Sequence, residues 1–169
     1  MAIDDEEWVY DDPAVPSDAY VHRRLNDKQH LVFDDEMGRF VISIAAYRYV
    51  DADGLSVYVS SEMEKNRIVD DTLFEYCSYG LARIQVSIIR SPEPGAPTDP
   101  VAAQISGGVI LREAESFPED ERVRKSHGLV RIHVRPHGKP FWPLFRHKLI
   151  QGSEYRASVH DSWIAAGAV

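Results

Sequence analysis

The pattern of apolar and polar residues is clearest over residues 39–61, where two apolar segments flank a short turn sequence. The first segment reads RFVISIAAYRYV and is almost continuously apolar, which is typical of a strand covered on both faces. The second reads LSVYVSS and alternates apolar with polar residues, as a half-buried strand does. Because the intervening DADG favours a tight turn, we predict a β-hairpin over this stretch. A helical segment at 42–47 is the alternative, since Ala45 and Ala46 favour helix.

The same pattern predicts further strands on both sides of this hairpin. They cover residues 20–25 (where a helix start is the alternative), 30–33, 81–89, 101–111 and 129–134. The strand HLVF at 30–33 is close enough to the apolar segment that begins at residue 39 to form a first hairpin with it. In the strand at 129–134, Arg131 and His133 lie on one side. We therefore expect a half-exposed strand that presents a cation and an imidazole.

Helix signals are weaker than strand signals. Ser61 and Glu64 have the spacing of a capping box and Gly80 suits a helix C-terminus, so we expect one or two short helices between them. Residues 144–150 are compatible with a helical turn or a final strand. Residues 154–169 carry apolar side chains at helical spacing, which predicts a terminal helix.

These elements predict an α+β fold: a single β-rich domain with a mostly antiparallel sheet and two or three short helices. A chain of 169 residues has the usual size of one domain, and we assign that domain to residues 19–169. Residues 1–18 are acidic and contain two prolines, so we expect a flexible acidic arm. Trp8 and Tyr10 lie within this arm, and such rings can dock on a basic surface of the same chain or of a partner. The proline-rich SPEPGAPTDP at 91–100 is expected to be a surface loop.

Charge is distributed unevenly along the chain. The formal net charge of -8 argues against general nucleic-acid binding. Acidic residues dominate up to Glu36, whereas basic residues dominate from Arg122 onward. Either the two ends neutralise each other within one fold, or one of them faces a charged partner.

Other sequence features bear on the location of the protein. The first residues are acidic, unlike those of a signal peptide, and no apolar run approaches the roughly 20 residues of a membrane helix. Cys77 is the only cysteine, which excludes a disulfide framework. We therefore expect a cytoplasmic protein without a membrane segment.

Three short features resemble a type of small uncharacterised bacterial protein, which carries an Arg-Arg pair, a DGLSV segment and a Pro-rich DP loop. Here they are Arg23 with Arg24, residues 53–57, and the strand at 81–90 followed by Asp99 and Pro100. A histidine that often follows the loop in such proteins is absent. The resemblance implies a bacterial setting and supplies no activity, cofactor or site.

The C-terminal histidines are the candidate metal ligands. His133 and His137 have the H-x3-H spacing of zinc ligands on a helix, and His127 and His147 could join them. On an extended strand, however, positions four apart are about 13 Å separated, which is too far for one metal ion. Exposed surface histidines are the simpler interpretation, and we expect neither a metal nor another cofactor.

Cations and aromatic residues are interleaved between residues 131 and 148. The candidate partner-binding residues are Arg131, Arg135, Lys139, Phe141, Trp142, Phe145, Arg146 and Lys148. This mixture is typical of hot spots in protein interfaces. It also suits single-stranded nucleic acid, whose bases stack on rings. A third interpretation places the rings in the core.

No spacing of residues typical of a catalytic site is present. We therefore expect a non-catalytic protein-binding module, such as an inhibitor, an immunity-like factor or an accessory subunit of a bacterial multi-protein system. A charged end would steer association with a partner encoded nearby, and rings near Trp142 would become buried in the complex. The alternatives are a metal-dependent hydrolase or nuclease that uses the C-terminal histidines, and a single-stranded nucleic-acid binder that uses residues 131–148.

Overall fold

The computed structural model of the protein describes residues 8–48, 54–90, 105–133 and 141–165. Within these ranges lie a seven-stranded sheet and a two-stranded sheet, both antiparallel, together with short helices, which confirms the predicted α+β class. The strands are β1 (Tyr20–Arg24), β2 (Leu31–Asp34), β3 (Arg39–Ile42), β4 (Leu55–Val59), β5 (Leu81–Gln85), β6 (Gly107–Leu111), β7 (His127–Ile132), β8 (Glu154–Arg156) and β9 (Ile164–Ala165). The α-helices are α1 (Ser60–Lys65), α2 (Asp70–Leu73), α3 (Val86–Arg90), α4 (Glu121–Lys125) and α5 (Trp142–Gln151), and 3-10 helices cover Lys28–His30, Ile44–Tyr47 and Phe74–Tyr76.

The first strand, β1, lies at the centre of the large sheet, whose order is β6-β7-β4-β1-β5-β8-β9. β1 pairs with β5 along its whole length. With β4 it pairs at only two positions, Val21 with Val59 and His22 with Tyr58. The ladder between these two central strands therefore ends early, and a gap opens beside the last residues of β1.

The two faces of the large sheet bury different kinds of side chain. Val21, Ile84 and Val130 lie on one face and are at most 2% exposed. They belong to the main core, to which α3 and α5 also contribute. Because side chains alternate along a strand, the other face carries polar residues such as His22 and Arg24. A smaller apolar cluster formed with α1, α2 and α4 covers part of that polar face.

The predicted hairpin over residues 39–61 is wrong. β3 pairs with β2, whereas β4 pairs with β1 and β7 in the other sheet. The chain leaves β3 at Ser43, whose side chain accepts from the Ala45 N–H and so caps the 3-10 helix Ile44–Tyr47. The alternative of a helical segment there is confirmed, although the helix is 3-10. Of the predicted DADG turn only Gly54 lies within the described residues.

Several neighbouring predictions are confirmed. The segment 20–25 contains β1, the segment 30–33 overlaps β2, and the first hairpin with residues from 39 onward is present as β2–β3. Residues 144–150 belong to α5, which is the helical one of the two alternatives. No helix within the described ranges is both long and apolar enough to cross a membrane.

Other predictions need correction. The segment 81–89 is a strand only as far as Gln85, where α3 takes over. Helices are present between 60 and 80, but α1 begins at Ser60 without a side-chain cap, so the capping-box interpretation is wrong. The terminal helix over 154–169 is also wrong, because its described residues contain β8 and β9 instead. The expected loop at 91–100 lies outside the described residues.

The strand predicted at 129–134 is present as β7 but is not half-exposed. β7 lies between β6 and β4, and its residues from Gly128 to Ile132 are buried. Even Arg131 is only 6% exposed. The sequence alternation is real, but the polar side of this strand is covered by another segment of the chain.

That segment comprises residues 8–18, which lie along β6 and β7. Trp8 donates from Nε1 to the Ile132 carbonyl (2.9 Å), and the Arg131 guanidinium lies 4.2 Å from the centre of the Trp8 ring. Asp11 forms an ion pair of 3.1 Å with Arg90. From Trp8 onward, the predicted acidic arm is thus attached to the sheet by specific contacts, and one of its rings docks on a cation of the same chain.

Gly108 in β6 allows this segment to approach closely. A Cβ atom at this position would lie 2.5 Å from the Tyr10 carbonyl oxygen and 2.7 Å from the Asp11 Cα. Both distances are shorter than real Cβ contacts, so a side chain at position 108 would displace the segment. At its far end Val15 is 1% exposed and joins the main core.

Candidate functional site: an exposed hairpin beside an arginine pocket

Most of the predicted partner-binding residues that the structure describes are buried. Arg131, Trp142, Phe145 and Lys148 are between 2% and 6% exposed, and Phe141 and Arg146 are half-buried. The Trp142 ring packs against Phe145 and donates from Nε1 to a carbonyl of the 3-10 helix that follows β3 (2.8 Å). These rings therefore occupy the core, as the third interpretation of the segment has it. Arg135 and Lys139 lie outside the described residues.

The buried cations of this set bind backbone carbonyls of the same chain. Arg131 donates from Nη1 to the Val9 carbonyl (2.7 Å), and Lys148 donates from Nζ to the Ile89 carbonyl (3.3 Å). Buried charges need such partners, because an unsatisfied one costs several kcal/mol, roughly. Both side chains thus hold elements of the fold together.

The candidate metal ligands are not brought together where they are described. His127 lies in β7, His133 just after it beside the Tyr10 ring, and His147 is exposed on α5. His137 lies outside the described residues. Within the described ranges no three His, Cys, Asp or Glu side chains form a group that could hold a metal ion.

The β2–β3 hairpin, by contrast, presents apolar side chains to solvent. Its base is held by Leu31 opposite Ile42, both of which contact the main core. One step further out, Phe33 lies opposite Phe40, and the two rings pack edge to face with centroids 5.2 Å apart. These two side chains are 50% and 51% exposed, and Val32 on the other face is 52% exposed. Such an apolar surface on a projecting hairpin is typical of an interaction site.

The tip of the hairpin is acidic and tightly folded. Asp34 accepts hydrogen bonds through Oδ1 from the N–H groups of Glu36 (2.9 Å) and Met37 (3.0 Å). Gly38 completes the turn with φ +66°, a conformation that glycine adopts without strain. Asp35 and Glu36 in this turn are left exposed. The hairpin therefore combines an apolar centre with a negative tip.

At the base of this hairpin a pocket of about 370 Å³ opens where β1 and β4 separate. It is lined by polar and charged side chains from both strands and from the turn after β1: Arg23, Arg24, Asn26, Asp27, His30, Ser56 and Tyr58. We call it the arginine pocket.

Arg23 bridges the gap between the two strands. Its Nη1 donates to the Ser56 carbonyl (2.9 Å), and its Nε donates to the Ala46 carbonyl (3.0 Å). The first bond replaces a ladder bond that β1 would make if its pairing with β4 continued. Burial lowers the pKa of Arg23 against an opposing effect of Tyr47, and the charge of Arg24 lowers it further. The guanidinium nevertheless stays protonated at neutral pH.

Arg24 points to the other side of the sheet. It donates from Nη1 to the Tyr76 carbonyl (3.1 Å), and its guanidinium carbon lies 5.1 Å from the centre of the Phe117 ring and 5.5 Å from that of Tyr58. Burial raises the pKa of Tyr58, although the arginines oppose this effect. No carboxylate of the described residues lies within 4.0 Å of either arginine.

His30 lines the pocket, His127 is hydrogen-bonded to the lining residue Ser56, and both imidazoles favour the neutral form. Burial lowers the pKa of His30, and the Arg23 charge adds to this effect. Burial is also the main cause that lowers the pKa of His127. His127 Nδ1 lies 2.7 Å from the Arg112 carbonyl, so Nδ1 carries the proton and Nε2 accepts from the Ser56 hydroxyl (2.5 Å).

The Ser56–His127 hydrogen bond joins two of the three residue types found in a hydrolytic triad. The third member would be a carboxylate that orients the imidazole, whereas here a backbone carbonyl occupies that position. We therefore interpret the pair as a link between β4 and β7.

Sequence reasoning missed both features of this site. The apolar pattern at 30–33 predicts a strand, but it does not show that Phe33 projects beyond the core. Arg23 and Arg24 were not predicted to form a site, because nothing in their own sequence shows that β1 and β4 separate beside them. Comparison with known proteins identifies no relative: no protein-family model, curated protein or solved structure matches the chain.

Proposed function

We propose that this protein acts by binding another protein, without catalysis of its own, and that the β2–β3 hairpin is the binding surface. The observation that carries the proposal is the exposed Phe33–Phe40 pair on a hairpin anchored in the core. Inhibitors, immunity-like factors and accessory subunits of bacterial multi-protein systems work in this way, and we expect this protein to be one of them and to act in the cytoplasm.

The partner that fits the hairpin is a protein with an apolar cleft bordered by lysine or arginine side chains. The two rings would fill the cleft, and Asp35 and Glu36 would contact the basic border. The net charge of -8 would accelerate association with such a surface at low salt. This mechanism keeps the electrostatic steering expected from the sequence but moves ring burial from Trp142 to the hairpin.

The contribution of the rings to affinity follows from their exposure. A fully buried aromatic side chain removes about 150–250 Å² from water, so each half-exposed ring has roughly 100 Å² left to bury. At about 25 cal/mol per Å² this corresponds to roughly 2.5 kcal/mol for each ring. Part of this gain is offset by the cost of association, so we expect each ring to change the Kd by about tenfold to fiftyfold.

The test is an affinity measurement with matched variants. A tagged chain is expressed in its source cells, any stoichiometric complex is isolated, and the Kd of that complex is measured by calorimetry. We expect the double variant Phe33→Ser/Phe40→Ser to bind at least about a hundredfold more weakly. Val69→Ser is the control because Val69 is 65% exposed but lies before α2 and outside the hairpin, and it should retain the affinity within about threefold.

Three results would contradict the proposal. One is an equal loss of affinity in the serine double variant and in the Val69 control. Another is a complex with a second copy of this chain, detected by size-exclusion chromatography and abolished by the double variant. The last is a monomer without a partner that carries stoichiometric zinc, which would support the metal-dependent alternative.

A further inference from the structure

The arginine pocket holds more positive charge than the described residues neutralise. Arg23 and Arg24 are adjacent in β1, and both line the pocket. Among the described residues, the one acidic residue that lines it is Asp27, whose Oδ1 already accepts from the Gln29 N–H (2.9 Å) and which forms no ion pair with either arginine. Like charges held this close repel each other, so a bound anion would stabilise the pocket.

Hydrogen-bond donors remain free as well. A guanidinium has five N–H groups. Within the described residues Arg23 uses two of them, for the Ala46 and Ser56 carbonyls, and Arg24 uses one, for the Tyr76 carbonyl. Adjacent residues of a strand point to opposite faces, so the two guanidiniums border the gap between β1 and β4 from opposite sides. Their remaining N–H groups can bind oxygens of a ligand that enters this gap, and the tetrahedral phosphate group presents oxygens in several directions.

His30 adds a third group without a defined partner. Its Nδ1 is buried and makes no hydrogen bond within the described residues. His30 also lines the pocket. Because Nδ1 itself has almost no accessible surface, the side chain shapes the wall of the pocket and does not offer this nitrogen to a ligand.

We propose that the arginine pocket binds the phosphate group of a small phosphorylated ligand. The guanidiniums of Arg23 and Arg24 would bind phosphate oxygens from the two sides of the gap, and His30 would line the pocket beside them. A pocket of about 370 Å³ falls in the range of small-molecule sites, about 300–1,000 Å³, and leaves room for an organic group attached to the phosphate. This inference does not depend on protein binding by the hairpin.

The first experiment measures ligand binding to the full chain. Inorganic phosphate, glycerol phosphate, sulfate and acetate are titrated at pH 7 and matched ionic strength, with thermal unfolding and calorimetry as readouts. Phosphate and sulfate should raise the Tm in a saturable way, and acetate should do so much less because it has only two oxygens in one plane. Tighter binding of glycerol phosphate than of phosphate identifies an ester as the ligand class, and equal binding identifies the free ion.

Variants then locate the site. Arg24→Gln should weaken phosphate binding at least about tenfold, since a hydrogen bond from a charged donor is lost. His30→Ala should weaken it severalfold, and it removes no side-chain hydrogen bond of the described structure, so it remains informative if Arg24→Gln does not fold. Lys65→Gln is the control because it removes the same charge from a side chain that is 67% exposed and does not line the pocket.

Each outcome of these titrations either supports or overturns the proposal. Saturable phosphate binding that is weakened by His30→Ala or Arg24→Gln and unchanged by Lys65→Gln supports the proposal. The proposal is overturned if phosphate raises the Tm no more than sodium chloride does. It is equally overturned if the control loses as much affinity as the pocket variants, because the binding would then depend on net charge alone.

Discussion

Replacement of Arg23 by methionine tests whether this side chain holds two central strands together. The substitution keeps an apolar stem of similar length but removes the donors to the Ala46 and Ser56 carbonyls. Hydrogen bonds from a charged donor contribute about 1.5–3 kcal/mol each, so two of them give roughly 3–6 kcal/mol. Relief from burying a guanidinium offsets part of this loss. We expect Arg23→Met to lower the free energy of unfolding by about 3 kcal/mol.

Equilibrium unfolding in urea, followed by tryptophan fluorescence, measures this change. For a chain of this size, about 3 kcal/mol corresponds to a decrease in Tm of roughly 6–12 °C. Arg48→Met is the control, because Arg48 is exposed and forms no side-chain hydrogen bond among the described residues. It should change stability by less than about 0.5 kcal/mol. If Arg23→Met and Arg48→Met unfold at the same urea concentration, the bridging role of Arg23 is refuted.

Three further predictions concern the segment before β1 and one acidic side chain. Trp8→Ala should destabilise by about 2 kcal/mol, since it removes one hydrogen bond and one cation–π contact, whereas Val9→Ala should stay within about 0.5 kcal/mol in the same urea experiment. Gly108→Ala should speed proteolytic cleavage within residues 8–18. The cleavage rate of the double variant with Trp8→Ala should rise by less than the two single effects combined, because both substitutions release the same segment. A fully additive effect on the cleavage rate would contradict this. Asp70 lies 3.2 Å from His22 Nε2, a contact that lowers the pKa of Asp70. Its carboxylate therefore adds stability above pH about 4 that is lost as the pH falls. Asp70→Asn should flatten the pH dependence of the free energy of unfolding between about pH 4 and 2. An unchanged slope would contradict this.

The sequence predicts elements of this fold better than it predicts their partners. β2 pairs with β3 across a turn of four residues, so a local apolar pattern is enough to identify that hairpin. β4 has an equally clear pattern, but its partners β1 and β7 lie far away in sequence. A rule that considers only neighbouring segments therefore pairs β4 with the preceding apolar segment, which predicts the wrong hairpin.

The sequence predicts whether a side chain is exposed only where the residue's own segment of the chain determines the exposure. Arg131 alternates with apolar neighbours as a surface residue would, yet the segment that begins at Trp8 covers it. Phenylalanine is a residue type that often lies in the core, yet Phe33 belongs to a hairpin that extends beyond the core. In both cases exposure depends on chain segments that are distant in sequence, which periodicity does not describe.

The central position of β1 affects how the chain folds during synthesis. Tyr20 pairs with Gln85, which is 65 residues further along, and translation at about 5–20 residues per second takes roughly 3–13 s to cover that distance. Throughout this time β1 lacks one of the two strands that pair with it in the folded sheet. We therefore expect chaperones that bind unpaired strand edges to increase the yield of this protein during synthesis.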